Sequence, residues 1–517
     1  MTGESGSSHR TAKSAASGTS PLDRMLLAIP VMLATLMVIV DMTVVNVAIP
    51  DMMGALAATP DQITWVLTSY IVAEAVTIPL SGFLAERFGR RRVILASVTG
   101  FVIASMLCGQ ATSLSEIVAF RVLQGVFGAS VIPISQSTLV AAFDEKSRGK
   151  AMAMWGIGIM LGPVLGPTLG GLITDSLGWR FVFYINLPVG LIVLLLLTTF
   201  LTETERRKVR VDWTGAALLA IGLASLQTFL DRGNQDDWFH SNVIALLALV
   251  SLAAIIGFAW RSWTRKDALL RIDLLFDRNL ASASIMMLVF GLGLFGTIVL
   301  QPIMLENLLG YPADIAGIVM APRGVAAALG MATVATLINR IEPRWLVLAG
   351  LTLAATGTFL MTGYSLQVDM WHLIMPSLIQ GYGMGMVFVP LSALAFKTVD
   401  PSQADRAASI FNLARTIGSS IGIAIAATVL TRTSQMNWMT LGGHINAFNP
   451  RLDHYLSARG LTQADPATLH VLASELSRQS TMLGFIDAFY FITISFVVLA
   501  PLVLFLRENT AGGPRTS

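Results

Sequence analysis

Five charged side chains lie inside segments that are otherwise apolar, and their types point to proton and ion-pair chemistry. They are Asp41, Glu74, Arg121, Arg323 and Arg415. A charged side chain at the centre of a bilayer costs about 2.5–3.5 kcal/mol on insertion scales, so each needs a partner or a polar cavity. These positions therefore predict a polar centre within an apolar protein.

Asp41 is the candidate for reversible proton binding. Burial favours the neutral form of a carboxyl group, whereas a neighbouring guanidinium favours the ionised form. At about 1.5 Å of helix rise per residue, Asp41, Glu74 and Arg121 lie at similar depths, so Arg121 is the predicted partner and Glu74 a second acid. The alternative is that these residues form ion pairs that only hold helices together.

The remaining charges lie in the second half of the chain. Arg323 and Arg415 lie near the middle of their apolar segments, which predicts that the polar centre is shared between two halves of the protein. Glu306 lies near the end of its segment and is more simply interpreted as a solvated residue at a cavity mouth.

The composition requires a membrane around these segments. Of the 517 residues, 54% are hydrophobic and 13% charged, and the mean hydropathy is +0.69. Soluble globular domains carry about 25% charged residues. Fourteen apolar runs are long enough to cross about 30 Å of hydrocarbon as helices. They are residues 25–50, 62–85, 93–110, 114–141, 149–173, 181–201, 213–230, 242–260, 279–305, 314–338, 345–363, 371–396, 407–430 and 482–506.

Basic loops predict the orientation of these spans. Lys and Arg near helix ends resist translocation, so the loops ERFGRRR, DEKSRGK and TETERRKVRVD are expected on the cytoplasmic side. An even number of spans then places both termini in the cytoplasm. Residues 1–24 are predicted to be a disordered tail rather than a signal peptide, and residues 507–517 form a second tail.

Motifs that recur at an offset of 253 to 256 residues indicate two related halves. The pairs are Leu84–Ala96 with Leu337–Ala349, Gln124 with Gln380, and Gly162 and Gly166 with Gly418 and Gly422. Transporters are commonly built from such repeats. Spans 1–6, within 25–201, therefore correspond to spans 9–14, within 279–506. The two spans between them, within 202–278, are an insert.

Span 5 has the composition of a helix that packs closely and moves. Its run GIMLGPVLGPTLGG contains Gly162, Gly166, Pro167, Gly170 and Gly171. Small residues four apart let two helix backbones approach closely, and proline removes a backbone hydrogen bond and bends the helix. The run predicts a helix that rocks against a neighbour, although any single pair of glycines could serve packing alone.

Other functional classes have no support in the sequence. The net charge of +3 gives no basic excess for nucleic acid, and the single cysteine, Cys108, excludes an internal disulfide. The sequence has no G-x-x-x-x-G-K-[ST] phosphate loop, nor a nucleophile with a base at the membrane surface. We therefore expect neither an enzyme nor a metal or organic cofactor, and the proton is the expected coupling ion.

Several motifs resemble those of one known family. GFLAERFGRRRVI from Gly82, RVLQGVFGA from Arg121, DMTVVNVAIP from Asp41 and WRFVFYINLPVG from Trp179 are each similar to a motif of the major facilitator superfamily. With the Gly/Pro run of span 5, they resemble the fourteen-spanner drug:proton antiporters of the EmrB/QacA type. The resemblance implies an all-α membrane protein with two six-helix halves plus two inserted helices.

The resemblance also implies roles for individual residues. Asp41 and Arg121 take the proton-coupling role, and the loop between spans 2 and 3 is a cytoplasmic gate, with Glu86 where the family usually has Asp. The gating residues of that loop are Gly82, Glu86, Arg87, Gly89, Arg90 and Arg91. The expected lining of the substrate cavity is Asn46, Gln124, Glu306, Arg323, Asn412 and Arg415.

The implied function is proton-coupled export of amphiphilic or cationic compounds across a bacterial inner membrane by alternating access, as in multidrug efflux and antibiotic resistance. A dedicated exporter of one metabolite, lipid or siderophore on the same scaffold is the alternative. In family members from double-membraned bacteria, a periplasmic adaptor connects the transporter to an outer-membrane channel. Such an adaptor is a candidate partner here, beside small-molecule substrates and the lipid bilayer.

The longest outer segment, 431–481, is expected to be a loop with one short helix. The stretch ADPATLHVLASELSRQ has Asp465 as a candidate N-cap and Pro466 at the first helical position. Leu469, Leu472 and Leu476 would then share one face of an amphipathic helix. This helix would either contact an adaptor or belong to a plain structured loop.

Overall fold

Fourteen long helices follow the order of the predicted spans. The computed structural model describes residues 21–143, 145–203, 212–265, 272–338, 340–400, 403–446, 449–457 and 466–506, and these contain no strand. The helices are α1 Pro21–Ala55, α2 Trp65–Phe88, α3 Arg90–Gln110, α4 Leu114–Gly128 and Val131–Ala142, α5 Glu145–Leu177, α6 Asn186–Phe200, α7 Trp213–Arg232, α8 Asn242–Thr264, α9 Arg278–Ile303, α10 Ala313–Leu337, α11 Pro343–Met361, α12 Met370–Ala395, α13 Ala404–Gly442 and α14 Pro466–Leu499.

The helices have the dimensions that a bilayer requires. Among the described residues, thirteen helical segments are long and apolar enough to cross a membrane. The remaining long helix, α5, has 33 residues and lies where the fifth span is predicted. Of the predicted tails, 1–24 and 507–517, residues 1–20 and 507–517 lie outside the described residues, whereas residues 21–24 are helical and begin α1, so the first tail was predicted four residues too long.

Proline explains two interruptions that the span predictions did not include. Proline has no N–H, and its ring clashes with the carbonyl of the residue four positions earlier. In α4 the helix breaks at Ala129, four residues before Pro133. A short helix before α6 ends at Tyr184, four residues before Pro188. The second break leaves Asn186 at the start of α6, buried in the protein.

Glycines bring α5 against α1. A Cβ atom built at Gly162 would overlap Ile39, and one at Gly166 would overlap Thr43. The Thr43 hydroxyl also donates a hydrogen bond of 3.3 Å to the carbonyl of Gly162. The predicted close approach of span 5 to a neighbour is therefore present, and that neighbour is the helix that carries Asp41.

The second half repeats this contact. Gly418 and Gly422 of α13 approach Leu288 and Leu292 of α9 so closely that a Cβ would overlap the backbone of α9. Helices α1 and α5 thus correspond to α9 and α13, as the sequence repeat predicts. Close approach of small residues favours such packing in a membrane, where helices gain little from the hydrophobic effect.

The two inserted helices form a hairpin that contacts both halves. The α7 helix packs against α2 of the first half and α13 of the second. Ser420 donates a hydrogen bond of 2.7 Å to Gln227, and Thr68 donates one to Asp231. Helix α8 is largely exposed to the surroundings, with large apolar side chains such as Leu249 on its surface, as expected of a lipid-facing helix.

The segment predicted as a long outer loop is mostly helical. Helix α13 continues beyond its predicted end to Gly442, a short helix spans Pro450–Ser457, and α14 begins at Pro466. The predicted amphipathic helix is thus not a separate element, because no proline or glycine pair interrupts it before the last span. Glycines 442 and 443, in contrast, end α13. The candidate N-cap Asp465 lies outside the described residues.

Candidate functional site

The Asp41 carboxylate lies at the centre of a network of side-chain donors. Asp41 is 1% exposed. Its Oδ2 accepts a hydrogen bond of 2.9 Å from Nη1 of Arg121. Its Oδ1 accepts bonds of 2.9 Å from Gln124 and 2.6 Å from Asn186. An ionised carboxylate is an acceptor only, so these three donors from α4 and α6 match its charged form.

Arg121 is fixed by several elements at once. Its Nε donates to the carbonyl of Val66 at 3.1 Å, and its Nη1 donates to Gln124 at 2.7 Å. The guanidinium carbon lies 4.3 Å from the ring centroid of Tyr70, a cation–π contact. The structure therefore forms the predicted pair of Asp41 and Arg121, and it fixes the orientation of the arginine.

A second layer of polar groups orients the donors to Asp41. Asn186 also donates to the Ser105 hydroxyl at 2.9 Å, and Ser105 donates to the carbonyl of Phe183 at 2.9 Å. Sequence reasoning did not select Asn186 or Ser105. The available signal for Asn186 was a single amide within the apolar stretch FVFYINLPVG, two residues before the proline that breaks the helix.

Glu74 does not join the Asp41 network but faces the other half. It is 3% exposed, and it interacts electrostatically with Arg415 on α13 and, more weakly, with Arg121. Arg415 is half-buried. The two residues lie where α2 packs against α13. Glu74 and Arg415 therefore place opposite charges across the interface between the halves.

The second half contains its own polar cluster near Arg323. Nη1 of Arg323 donates a hydrogen bond of 3.2 Å to the side-chain carbonyl of Gln301, and Gln301 donates to Ser377 at 2.6 Å. Gln380 donates to Thr297 at 2.9 Å and to a further threonine on α11. Arg323 is 8% exposed. Among the described residues, no carboxylate pairs with it.

The other expected cavity residues lie apart from one another. Gln124 is bonded to both Asp41 and Arg121, so it belongs to the carboxylate network. Asn412 is buried and donates to Gln136 of the first half at 2.6 Å. Asn46 and Glu306 are exposed. Only Arg415 of this set lies at the interface between the halves with its side chain half-exposed.

Ion pairs join the halves at the end of the bundle where α2 ends and α3 begins, around Gly89, which we call the basic face. Glu86 accepts a hydrogen bond of 2.7 Å from Arg406, and Arg90 donates one of 2.7 Å to Asp405. All four side chains are about nine-tenths buried. Two desolvated ion pairs therefore connect the α2–α3 loop of the first half to the start of α13.

A close backbone approach accompanies these ion pairs. The amide of Gly82 donates to the Ser409 hydroxyl at 3.0 Å, and the hydroxyls of Ser81 and Ser409 are 2.9 Å apart. A Cβ at Gly82 would lie 2.9 Å from the carbonyl oxygen of Asp405. Any larger residue at position 82 would push α2 away from α13.

The other predicted gating residues lie within the first half. Gly89 has φ of +91°, a conformation that other L-residues rarely adopt. Arg91 donates to the carbonyl of Thr198 on α6 at 2.9 Å, and the Arg87 guanidinium lies 5.5 Å from the ring of Phe88. These residues shape the loop, whereas Glu86 and Arg90 make its contacts to the second half.

Sequence reasoning named the loop but not its partners, Asp405 and Arg406. The signal was a pair of adjacent opposite charges, ADRAAS, at the start of an apolar helix. Lone charges at helix ends are common near a membrane surface, so the pattern was not specific. The correspondence of spans could have selected this pair of charges, because α13 is the counterpart of α5, which the sequence predicts to rock against a neighbour.

Contacts between the halves concentrate near the basic face. A Cβ at Gly149 of α5 would lie 2.9 Å from Ile338 of α10, and the Trp155 ring lies 5.9 Å from that of Phe388. Together with the bonds from Asn412 and Ser409, these contacts seal the bundle at this end. The described conformation is thus closed at the basic face.

The Gly/Pro run of α5 divides into packed and open positions. Gly170 approaches the carbonyl of Val44 on α1, in line with the two glycines before it. A Cβ at Gly171, in contrast, would have no neighbouring heavy atom within 4 Å. The side chain of Pro167 lies outside the described residues, so the predicted bend at this proline stays a prediction.

Comparisons with known proteins agree with this architecture. Residues 31–431 match the family model of the Major Facilitator Superfamily. The chain is 34% identical to the fatty acid resistance protein FarB of Neisseria gonorrhoeae over 93% of this chain and 96% of that protein. It is also 34% identical to the multidrug export protein EmrB of Escherichia coli (strain K12), over 94% and 96% of the two chains.

The fold is shared with solved structures. A crystal structure of a double tryptophan mutant of XylE superposes with a TM-score of 0.64 at 14% identity, over 95% of this chain and 97% of that chain. The predicted all-α fold with two six-helix halves and two inserted helices is confirmed. The chain therefore belongs to the major facilitator superfamily, among the relatives of the multidrug export protein EmrB, and it is a multi-pass membrane transporter rather than an enzyme.

Proposed function

We propose that this protein exports amphiphilic small molecules from the cytoplasm and that each export step is coupled to proton entry at Asp41. The observation that carries the proposal is the buried carboxylate held by Arg121, Gln124 and Asn186. Protonation would remove its charge and turn one oxygen into a donor, so this network could not keep the same bonds. The names of two relatives, multidrug export protein and fatty acid resistance protein, support an exporter of amphiphilic compounds.

The packing of α1 supplies a route from this proton to a conformational change. Asp41 lies on the helix whose neighbouring turns contact Gly162 and Gly166 of α5. Helix α5 in turn contacts α10 of the second half near the basic face. A local rearrangement at Asp41 would therefore be transmitted through α1 and α5 to the interface between the two halves.

The orientation follows from the basic loops, whose expected place is the cytoplasm. With the basic face inside, the described conformation is closed to the cytoplasm by the Glu86–Arg406 and Arg90–Asp405 pairs. Proton entry would then be driven inward, because a membrane potential supplies about 2.3 kcal/mol per charge per 100 mV. A periplasmic adaptor would meet the outer ends of α13 and α14 if the envelope has two membranes.

The decisive experiment compares wild type with Asp41→Asn in proteoliposomes and in cells that lack their own pumps. Asparagine keeps the size but is permanently neutral, so we expect export of a fluorescent amphiphile to lose its dependence on the proton gradient. Membrane levels of both proteins serve as the control for folding. Export by Asp41→Asn that stays fully sensitive to an uncoupler would overturn the proposal.

A further inference from the structure

The buried charges of the membrane interior do not balance. The Asp41 carboxylate is matched by Arg121, and Glu74 faces Arg415. Arg323 remains, and within the described part of the chain its one hydrogen bond goes to a neutral amide, that of Gln301. At the basic face, Glu86 and Asp405 pair with Arg406 and Arg90, and Asp487 of α14 is exposed. Among the described residues, one buried positive charge is thus left without a counter-charge.

The internal repeat shows what is missing at this place. Gln380 occupies the position equivalent to Gln124, 256 residues further along the chain. Gln124 donates to Asp41 on α1, whereas Gln380 donates to Thr297 on α9, which lies at the same offset from Asp41. The second half therefore has a neutral hydroxyl where the first half has its acid.

The hydrogen-bonding capacity of Arg323 is only partly used. A guanidinium has five N–H donors in a planar fork that matches a carboxylate or phosphate oxygen pair. In the described structure, Gln301 accepts one of them, and Gln301 is itself fixed by its bond to Ser377. The arginine is therefore held in place with donors to spare, in a setting where an unpaired charge is costly.

We propose that Arg323 binds the anionic head group of the exported amphiphile, so that a carboxylate on an apolar tail takes, in the second half, the place that Asp41 has in the first. This inference names the substrate class and rests on the proposed function. It narrows the sequence-based expectation of amphiphilic or cationic compounds to amphiphiles with an anionic head group, because Asp41 and Glu74 each face an arginine in the structure.

The apolar side chains near this site suit such a ligand. Val319 and Ala327, which lie four residues before and after Arg323 on α10, share its face of the helix and are buried. An alkyl tail can pack against side chains of this kind without loss of hydrogen bonds. A free inorganic anion would gain nothing from them.

The test is a binding assay with a pair of probes that share a twelve-carbon chain. Purified protein in lipid nanodiscs is titrated with dodecanoate and, separately, with dodecyltrimethylammonium, and tryptophan fluorescence reports binding. We expect wild type to bind the anion more tightly, and Arg323→Gln to lose about ten- to hundredfold in affinity for the anion, with little change for the cation. Arg323→Lys keeps the charge and should retain part of the preference.

Arg278→Gln is the matched control, because it removes an exposed arginine at the start of α9 that donates to the carbonyl of Phe505. Equal losses of dodecanoate binding in Arg278→Gln and Arg323→Gln would overturn the assignment, as would tighter binding of the cation by wild type. If Arg323→Gln is not recovered as a folded protein, Arg323→Lys and the wild-type preference still decide. Binding needs no proton gradient, so this inference can fail while proton-driven export remains, and the reverse also holds.

Discussion

At the scale of single residues, Asp41 owes its properties to the donors around it. Arg121 supplies charge, whereas Gln124 and Asn186 supply neutral N–H groups to the other carboxylate oxygen. Hydrogen bonds to the charged form of an acid stabilise that form, and burial opposes it. A proton site of this kind can be adjusted by changing a neutral donor, which leaves the acid and its arginine intact.

We therefore predict that Asn186→Leu moves the pH at half-maximal transport upward. The ionised carboxylate loses its shortest hydrogen bond, 2.6 Å, so Asp41 would accept a proton at a higher pH than in wild type. Loss of a hydrogen bond to a charged group is worth about 1.5–3 kcal/mol, which predicts a shift of about one pH unit or more. The measurement is the pH profile of substrate-dependent proton release from proteoliposomes.

Ser105→Ala provides the control for this prediction. Ser105 contacts Asn186 but not Asp41, so its removal should shift the profile less than Asn186→Leu does. A profile that is identical in wild type and Asn186→Leu would show that this amide does not influence the proton site.

At the scale of helices, the sequence predicted well which membrane-spanning helices exist and in what order they follow. It predicted poorly where those helices are interrupted. Long apolar runs fix where helices cross a membrane, because every backbone group there must be bonded internally. The breaks in α4 and before α6 depend on Pro133 and Pro188, yet Pro79 lies within the continuous α2. The presence of a proline does not by itself show whether a helix breaks, because neighbouring helices decide whether the carbonyl that it frees finds another hydrogen-bond donor. Sequence reasoning missed Asn186 because the break that places it at the start of α6 could not be predicted in this way.

Glycine positions in α5 allow a matched test of helix packing. We predict that Gly166→Ala destabilises the protein by about 1–3 kcal/mol, the usual cost of forcing a methyl group into a filled space, because the new Cβ would overlap Thr43. Gly171→Ala, five residues along the same helix, meets open space and should be neutral or slightly stabilising, since alanine favours helix over glycine. Thermal unfolding of the purified proteins measures both.

Equal stability of the two glycine variants would contradict the close approach of α5 to α1. If Gly166→Ala lowers transport as well as stability, Gly422→Ala in the second half should do the same. Its Cβ would overlap the backbone of Leu292 in the equivalent contact.

The ion pairs that join α2 to α13 can be tested by charge exchange. We predict that Glu86→Arg and Arg406→Glu each impair transport, because each leaves like charges about nine-tenths buried at the interface. The double variant should recover, with a coupling energy of about 0.5–3 kcal/mol from a double-mutant cycle of unfolding free energies. Additive losses in the double variant would mean that this pair does not hold the halves together.

At the scale of the whole molecule, the described conformation is one of the two that the proposed alternating access requires. The halves touch near the basic face, through Ser81, Gly82 and Ser409 among others, and the inserted α7 bonds to both halves through Thr68 and Ser420. Helix α7 of the insert therefore contacts both α2 and α13 along the seam between them. A transition that opens the basic face must separate Ser81 from Ser409 while α7 keeps or exchanges its bonds.

A disulfide across this seam should arrest the cycle. We predict that Ser81→Cys with Ser409→Cys, in a Cys108→Ala background, forms a cross-link, because the hydroxyl oxygens that the thiols replace are 2.9 Å apart. Transport should stop on oxidation and return on reduction. The single Ser81→Cys variant controls for modification of one thiol, and full transport by the cross-linked protein would contradict a gate at this position.

The same cross-link can report whether Asp41 controls the gate. Asp41→Asn resembles the protonated carboxyl at any pH, so if protonation favours opening of the basic face, the cysteine pair should be apart for more of the time. We therefore predict slower cross-linking in the Asp41→Asn background than with Asp41 present, at one fixed pH so that thiol ionisation is the same. Equal rates in the two backgrounds would separate the carboxylate network from the gate, although α4 supplies Arg121 to the network and, through Ser137, a hydrogen bond to Asp405.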